Sequence, residues 1–176
     1  MRFERNFNNC PYSELNEEAY WKKSVTQIDL LDINPMNRPR FKLIPEDIIA
    51  SAGSCFAQHI SRYVKENGYQ FLTTEPPHPF IPPDLASEYN YGTYPARFGN
   101  IYTSRQLLQL FKRAYGKFEP TIKPYLVEDC FVDPFRPFIQ PTGFISLEEL
   151  KSDQKKHLQA VKAMFENLDV FIFTLG

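Results

Sequence analysis

The chain has 176 residues, enough for one domain with a real core, and its 43% hydrophobic and 23% charged residues exclude an intrinsically disordered chain. With 20 basic and 21 acidic residues the formal charge is -1, which leaves no electrostatic case for nucleic acid or an anionic membrane as partner. Three cysteines (Cys10, Cys55 and Cys130) without CxxC spacing exclude a disulfide framework or structural zinc site, and are expected as buried thiols in a reducing compartment.

Residues 1–40 read as a lead-in without a strong period, and residues 41–176 as one domain. The first ten residues carry charges and no apolar run, so they do not form a signal peptide. No window approaches the ~18 to 20 apolar residues of a membrane span, so a soluble, cytoplasmic protein is expected. No cofactor or metal motif is present. Asp47 to Ala52 is a short apolar run closed by Gly53 and predicts a buried strand. Phe56, Ala57, Ile60, Tyr63 and Val64 then mark one face of a helix that Asn67-Gly68 stops. Prolines cluster in Pro76–Pro95 and Pro120–Pro141, where long ordered loops pinned by aromatic rings are expected. Between them, Thr103 and Gln106 form a capping box for a second helix, with Leu107, Leu110, Phe111 and Ala114 as its apolar stripe and Gly116 as its end.

Tyr125 to Val127 and Cys130 to Val132 read as short strands. Ser146 caps a third helix, with Glu149 at the capping-box position. Leu147, Leu150, Leu158, Val161, Met164, Phe165 and Leu168 mark its buried side. Asp169 to Thr174 is a second apolar strand, of the kind found inside parallel sheets. The chain stops just after it, so a truncated product is expected, with apolar side chains left uncovered around Val170 to Phe173.

Ser54 stands where the first strand becomes a helix. Such a serine is held above the sheet edge, near free N–H groups and the positive end of a helix dipole, which suits a nucleophile whose attack creates an oxyanion. The same position suits a plain helix N-cap, a very common role, and the local pattern alone favours the cap.

Gly53-Ser54-Cys55-Phe56-Ala57 reads GSCFA. With Phe98 to Leu107, Asp133-Pro134-Phe135-Arg136-Pro137 and Thr174-Leu175-Gly176, it makes the chain resemble the GSCFA domain family over about residue 40 to the last residue. That family is similar in fold to GDSL/SGNH hydrolases. The resemblance implies a three-layer α/β/α sandwich with a parallel sheet, cut short at the C-terminus, and Ser54 as nucleophile. It implies a serine esterase or acyltransferase acting on a small-molecule ester, an acylated carbohydrate among the candidates. A non-catalytic binding module and an inactive remnant lacking the Asp and His of the triad stay open.

In the larger group a glycine and an asparagine help hold the oxyanion, and Gly99 or Asn100 could serve here. Asn100 reads equally well as a turn residue that satisfies its own backbone. Gly176 lies where a further block should begin, and its asparagine equivalent is missing. Cys55, at the helix entry, is the other candidate nucleophile and a further candidate at the oxyanion or substrate position, and a small buried apolar group is its preferred reading. Arg97, Arg105 and Arg136 are candidates for an anionic substrate group or plain surface charges. His59 points about 140° around the helix from the position of Ser54. His78 sits on a loop that could line a pocket. His157, beside Lys155 and Lys156, is expected to be solvated.

Overall fold

In a computed structural model of the chain, residues 11–12, 14–34 and 39–175 are described. Cys10 and Gly176 lie outside them. The chain divides into two compact units, residues 1–43 and 44–176. In the first, a 3-10 turn at Glu17–Ala19 and a π-helical turn at Lys22–Thr26 carry a Lys23–Glu17 ion pair at 2.8 Å.

The second unit is built on a parallel sheet of order β2-β1-β5, formed by β1 (Ile48–Gly53), β2 (Gln70–Phe71) and β5 (Val170–Thr174). Small side chains after Ile49 let neighbouring layers approach β1 closely, and Ile49 to Gly53 are all buried. Asp169 fixes the start of the ladder. Its carboxylate accepts the Ile48 N–H at 2.9 Å, and its own N–H donates to the Ile48 carbonyl at 2.9 Å. Helix α1 (Ala57–Glu66) joins β1 to β2, and α4 (Leu147–Asn167) leads into β5 on the other side of β1. Right-handed connections departing in opposite directions put these helices on opposite faces, the layering of an α/β/α sandwich.

The α1 face differs from its expected one. Ala57, Ser61 and Val64 are buried, while Phe56 and Tyr63 are 66% and 65% exposed. At 100° per residue, Phe56 and Tyr63 lie roughly 100° and 120° from Ala57, off the packed stripe. The chain reverses at Gly68, whose φ of 79° supplies the left-handed stop.

The first proline-rich stretch contains a short helix, α2 (Pro83–Glu88), that no sequence period marks, with proline at its start. Helix α3 (Ser104–Ala114) carries both arms of the Thr103–Gln106 capping box. β3 (Tyr125–Val127) and β4 (Cys130–Val132) form an antiparallel hairpin. At the start of α4, Ser146 accepts the Glu149 N–H at 3.1 Å, while the Glu149 carboxylate reaches Ile145, one residue before the cap.

The main core joins Ala50 and Ala52 of β1 to Leu110, Val161 and Met164, and to Tyr94, Ala96, Phe98 and Ile101 of the loop before α3. β5 is half-buried rather than bare, with Phe171 packed against Phe165 and stacked on Phe173. Among the described residues, no helix is long and apolar enough to cross a membrane.

Candidate active site

β1 lies between β2 and β5: the chain leaves β1 toward β2 on one side, and the connection after β2 returns across β1 to β5 on the other, so the direction of winding reverses at β1. In open parallel sheets, the crevice beyond the carboxyl ends of the strands at such a reversal is where ligands bind. Ser54 is the first residue past that end of β1 and is half-buried.

The capping role open to Ser54 is not taken. α1 begins three residues later, at Ala57, and no side chain caps it. Among the described residues, neither the Ser54 hydroxyl nor the N–H groups of Ser54, Cys55 and Phe56 donate to another protein group. The carbonyls of these three residues instead accept the N–H groups of Ala57, Gln58 and His59, at 2.9, 3.2 and 3.1 Å. The turn therefore leaves its amide donors unused at a helix entry, where negative charge is favoured. Cys55 is exposed on this turn, against the expectation of a buried thiol, and Cys130 is half-buried. The helix starts beyond Cys55, so its side chain escapes the packed face.

The loop 94–101 forms the facing wall. The Ile101 N–H donates to the Gly53 carbonyl at 2.7 Å. The Tyr94 hydroxyl lies 2.6 Å from Asn100 Oδ1, 3.0 Å from the Ser54 carbonyl and 3.5 Å from the Gly53 carbonyl. A phenol has one hydrogen, so three acceptors compete for it and the Asn100 contact is the shortest. Burial pushes the Tyr94 phenol pKa up, which keeps that hydrogen in place. Asn100 Nδ2 donates to the Tyr102 hydroxyl at 3.1 Å. The Asn100 amide is thus oriented by two tyrosines and does not satisfy its own backbone. A cavity of about 400 Å³ opens beside these residues, lined by Gln58, Tyr94, Gly99, Asn100 and Tyr102 and, opposite, by residues 134–139. Ser54 is not among the lining residues.

Behind the cavity lies a charge cluster that removes the surface-charge reading of two arginines and the solvated reading of one histidine. Arg97 and Arg136 are buried, at 4% and 5% exposure, while Arg105 is exposed. His157, expected in solvent, is 1% exposed. It lies on the packed face of α4 with Leu150, Val161 and Met164. Asp153 is shared by Arg97 at 3.1 Å and Arg136 at 2.6 Å, and Arg136 also binds Asp133 at 2.9 Å. Glu75 Oε2 accepts the Arg97 N–H at 2.7 Å and meets His157 Nδ1 at 2.8 Å.

Burial works against the Glu75 charge, but the bonds from His157 and Arg97 prevail and hold its pKa below the usual range. Burial, reinforced by the Arg136 charge, pushes His157 down despite Glu75. An ionised Glu75 beside a neutral imidazole puts the hydrogen on Nδ1 and leaves a lone pair on Nε2.

Acid sensitivity follows. An unfolded His157 takes a proton near its ordinary value of 6.5, and the folded one refuses it until a lower pH. Stability is therefore complete above about 6.5 and is lost as pH falls toward the depressed folded value, by at most ~1.4 kcal/mol per pH unit. Glu75 adds a loss in the same direction below its ordinary 4.5. Melting curves between pH 7 and 5 should show the decline, and His157→Gln should remove its upper part. A variant that keeps the full decline would refute this origin.

The other histidines stay apart from Ser54. His59 is exposed beside Phe56, and His78 is exposed with its Nδ1 accepting the Phe80 N–H at 3.3 Å. No imidazole hydrogen-bonds to Ser54 among the described residues. Sequence reasoning missed Glu75, Tyr94 and Asp153. A helical signal did mark Asp153, which lies four residues before His157 and so on the same face.

The fold and the turn define an α/β protein that presents a serine at the rim of a parallel sheet. The model of the GSCFA family matches residues 48–176, and the chain belongs to that family. No curated protein matches the chain, and no solved structure does.

Proposed function

We propose that the chain performs acyl transfer in the manner of GDSL/SGNH hydrolases, with Ser54 as nucleophile. Ser54 Oγ attacks an ester carbonyl, the alcohol leaves, and the acyl group passes from the serine to water or to a second hydroxyl. The observation that carries this reading is the Ser54 hydroxyl, unpartnered among the described residues, at the carboxyl end of the central strand and followed by N–H groups that bond to none of them. The N–H groups of Ser54 and Cys55 are the proposed oxyanion donors, with Asn100 Nδ2 or the Gly99 backbone as a further one. Amide side chains of Gln58, Asn90 and Gln106 and rings of Phe98, Phe135 and Phe138 line the adjacent cavity. Amides beside apolar rings suit an acylated carbohydrate, which offers both hydroxyls and C–H faces.

A second reading is a binding module that keeps the pocket without the chemistry. The lack of an imidazole on Ser54 among the described residues favours it. A serine without a base is a weak nucleophile, and oxyanion donors alone retain about 10³ to 10⁴ of rate over water. The 176-residue chain should therefore hydrolyse short aryl esters slowly. Added imidazole should accelerate it beyond the acceleration seen with Ser54→Ala. Equal rates for the two proteins, with and without imidazole, would dismiss Ser54 and leave the binding module.

A further inference from the structure

A second cavity, of about 250 Å³, lies between α3, α4 and the loop after β4. It shares Asn100, Gln106 and Arg136 with the first, so the two are neighbours. Its ionisable lining is entirely basic: Arg113, Arg136 and His157, with no carboxylate. Two of these are deeply buried and incompletely bonded, since Arg136 Nη1 and His157 Nε2 have no partner among the described residues. A buried donor left unpaired costs free energy, so a native site that keeps one calls for a missing partner. Arg113 is the third group. It stacks on Phe135 with its guanidinium carbon 4.0 Å from the ring centroid, and has no hydrogen bond or ion pair among the described residues. Burial works against its charge, and Asp133, which favours that charge, is already held by Arg136.

We propose that this cavity is a subsite for a small oxyanion, a carboxylate or phosphate group, held by Arg136 Nη1, Arg113 and His157, with the amides of Gln106 and Gln109 at its wall. The charge count supports it. Arg97, Arg113 and Arg136 balance Glu75, Asp133 and Asp153 while His157 is neutral. A carboxylate upsets that balance by one and a doubly charged phosphate or sulfate by two. A proton taken up at His157 Nε2 offsets one of those charges and converts the lone pair into a donor for the guest. The groups that face His157 agree with this. Glu75, from the loop after β2, and Asp153, one turn earlier on α4, favour the imidazolium, and Arg136 opposes it. The subsite stands on its own residues and does not depend on Ser54.

The test is a titration of the full chain with sodium sulfate and, separately, sodium acetate, at constant ionic strength set by chloride. Sulfate keeps its charge through the pH range and stands for the phosphate shape, and acetate stands for the carboxylate. The readout is the ring nitrogen signals of His157. Saturable binding is expected, with His157 shifting toward the imidazolium, and an affinity that rises by up to tenfold per pH unit as pH falls. Arg113→Met keeps the stem against Phe135 and breaks no ion pair. It should weaken binding by about tenfold or more while leaving the melting temperature unchanged. Whichever anion binds more tightly identifies the group. No saturable binding of either, binding that Arg113→Met leaves intact, or binding without a change at His157 would overturn the proposal. Because no turnover is measured, failure here and failure of the Ser54 assignment are separate results.

Discussion

Arg136→Met should destabilise the 44–176 unit by about 3–5 kcal/mol, roughly a fifth or more of the stability of an ordinary domain. The Arg136 side chain is 2% exposed, and that of Asp133 is fully buried. Methionine fills much of the volume but leaves Asp133 charged and away from water, its side chain keeping one hydrogen bond among the described residues, from the Phe135 N–H at 3.0 Å, and the more distant charge of Arg113. Asp153 loses its 2.6 Å partner and keeps Arg97. The uncompensated carboxylate, rather than the lost attraction, sets the size of the effect. Asp133→Asn combined with Arg136→Met should therefore cost clearly less than the sum of the single changes. Urea melts of the four proteins measure this. A single-variant cost below about 1 kcal/mol, or strict additivity, would mean that the network is solvated and contributes little.

The same network marks the limit of what the sequence discloses. Its pairs join residues far apart along the chain: Glu75 to His157, Arg97 to Asp153, Arg136 to Asp153. No local pattern encodes such separations, so Arg97 and Arg136 read as surface charges or substrate ligands. His157 was more accessible to reasoning. It falls seven residues after Leu150 and four before Val161, on the buried stripe of α4. Its two lysine neighbours concealed that, because local polarity is a weaker guide than helical period. The legible parts were local ones. The Gly53-Ser54 turn showed itself as a change from strand to helix period, and both cap serine–threonine sites followed from a side chain three residues before its partner. Placing Asn100 beside Ser54 required a loop contact. Its anchor, Tyr94, sits in a proline-rich stretch without period, where burial is decided by tertiary packing.

Gly53→Ala should be the most damaging single-methyl change near the site, at about 3 kcal/mol or more. Two costs add. The residue has φ of 148°, a backbone region that side chains rarely enter, and a Cβ there would lie 2.0 Å from Thr174 Oγ1 and 2.6 Å from the Thr174 carbonyl oxygen. Rotation of the peptide away from β5 is blocked on the other side, because the Gly53 carbonyl holds the Ile101 N–H at 2.7 Å. Gly68→Ala is the control. Its φ of 79° carries the conformational cost, but no atom of the described residues lies within 4 Å of the added methyl, so about 1 kcal/mol is expected. Thr174→Ala removes the nearer clash and a buried hydroxyl that has no partner among the described residues. Alone it should be close to neutral. Combined with Gly53→Ala it should restore only part of the loss, since the backbone oxygen stays in the way. Urea melts again give the values. Equal costs for Gly53→Ala and Gly68→Ala would disprove the close approach of β1 and β5 at this point. That approach also fixes Ser54. The serine follows directly on a residue clamped between Thr174 and Ile101, so its hydroxyl is set by the sheet and the loop together. A Gly53→Ala protein that still folds should therefore lose the Ser54-dependent part of ester hydrolysis before it loses its helices.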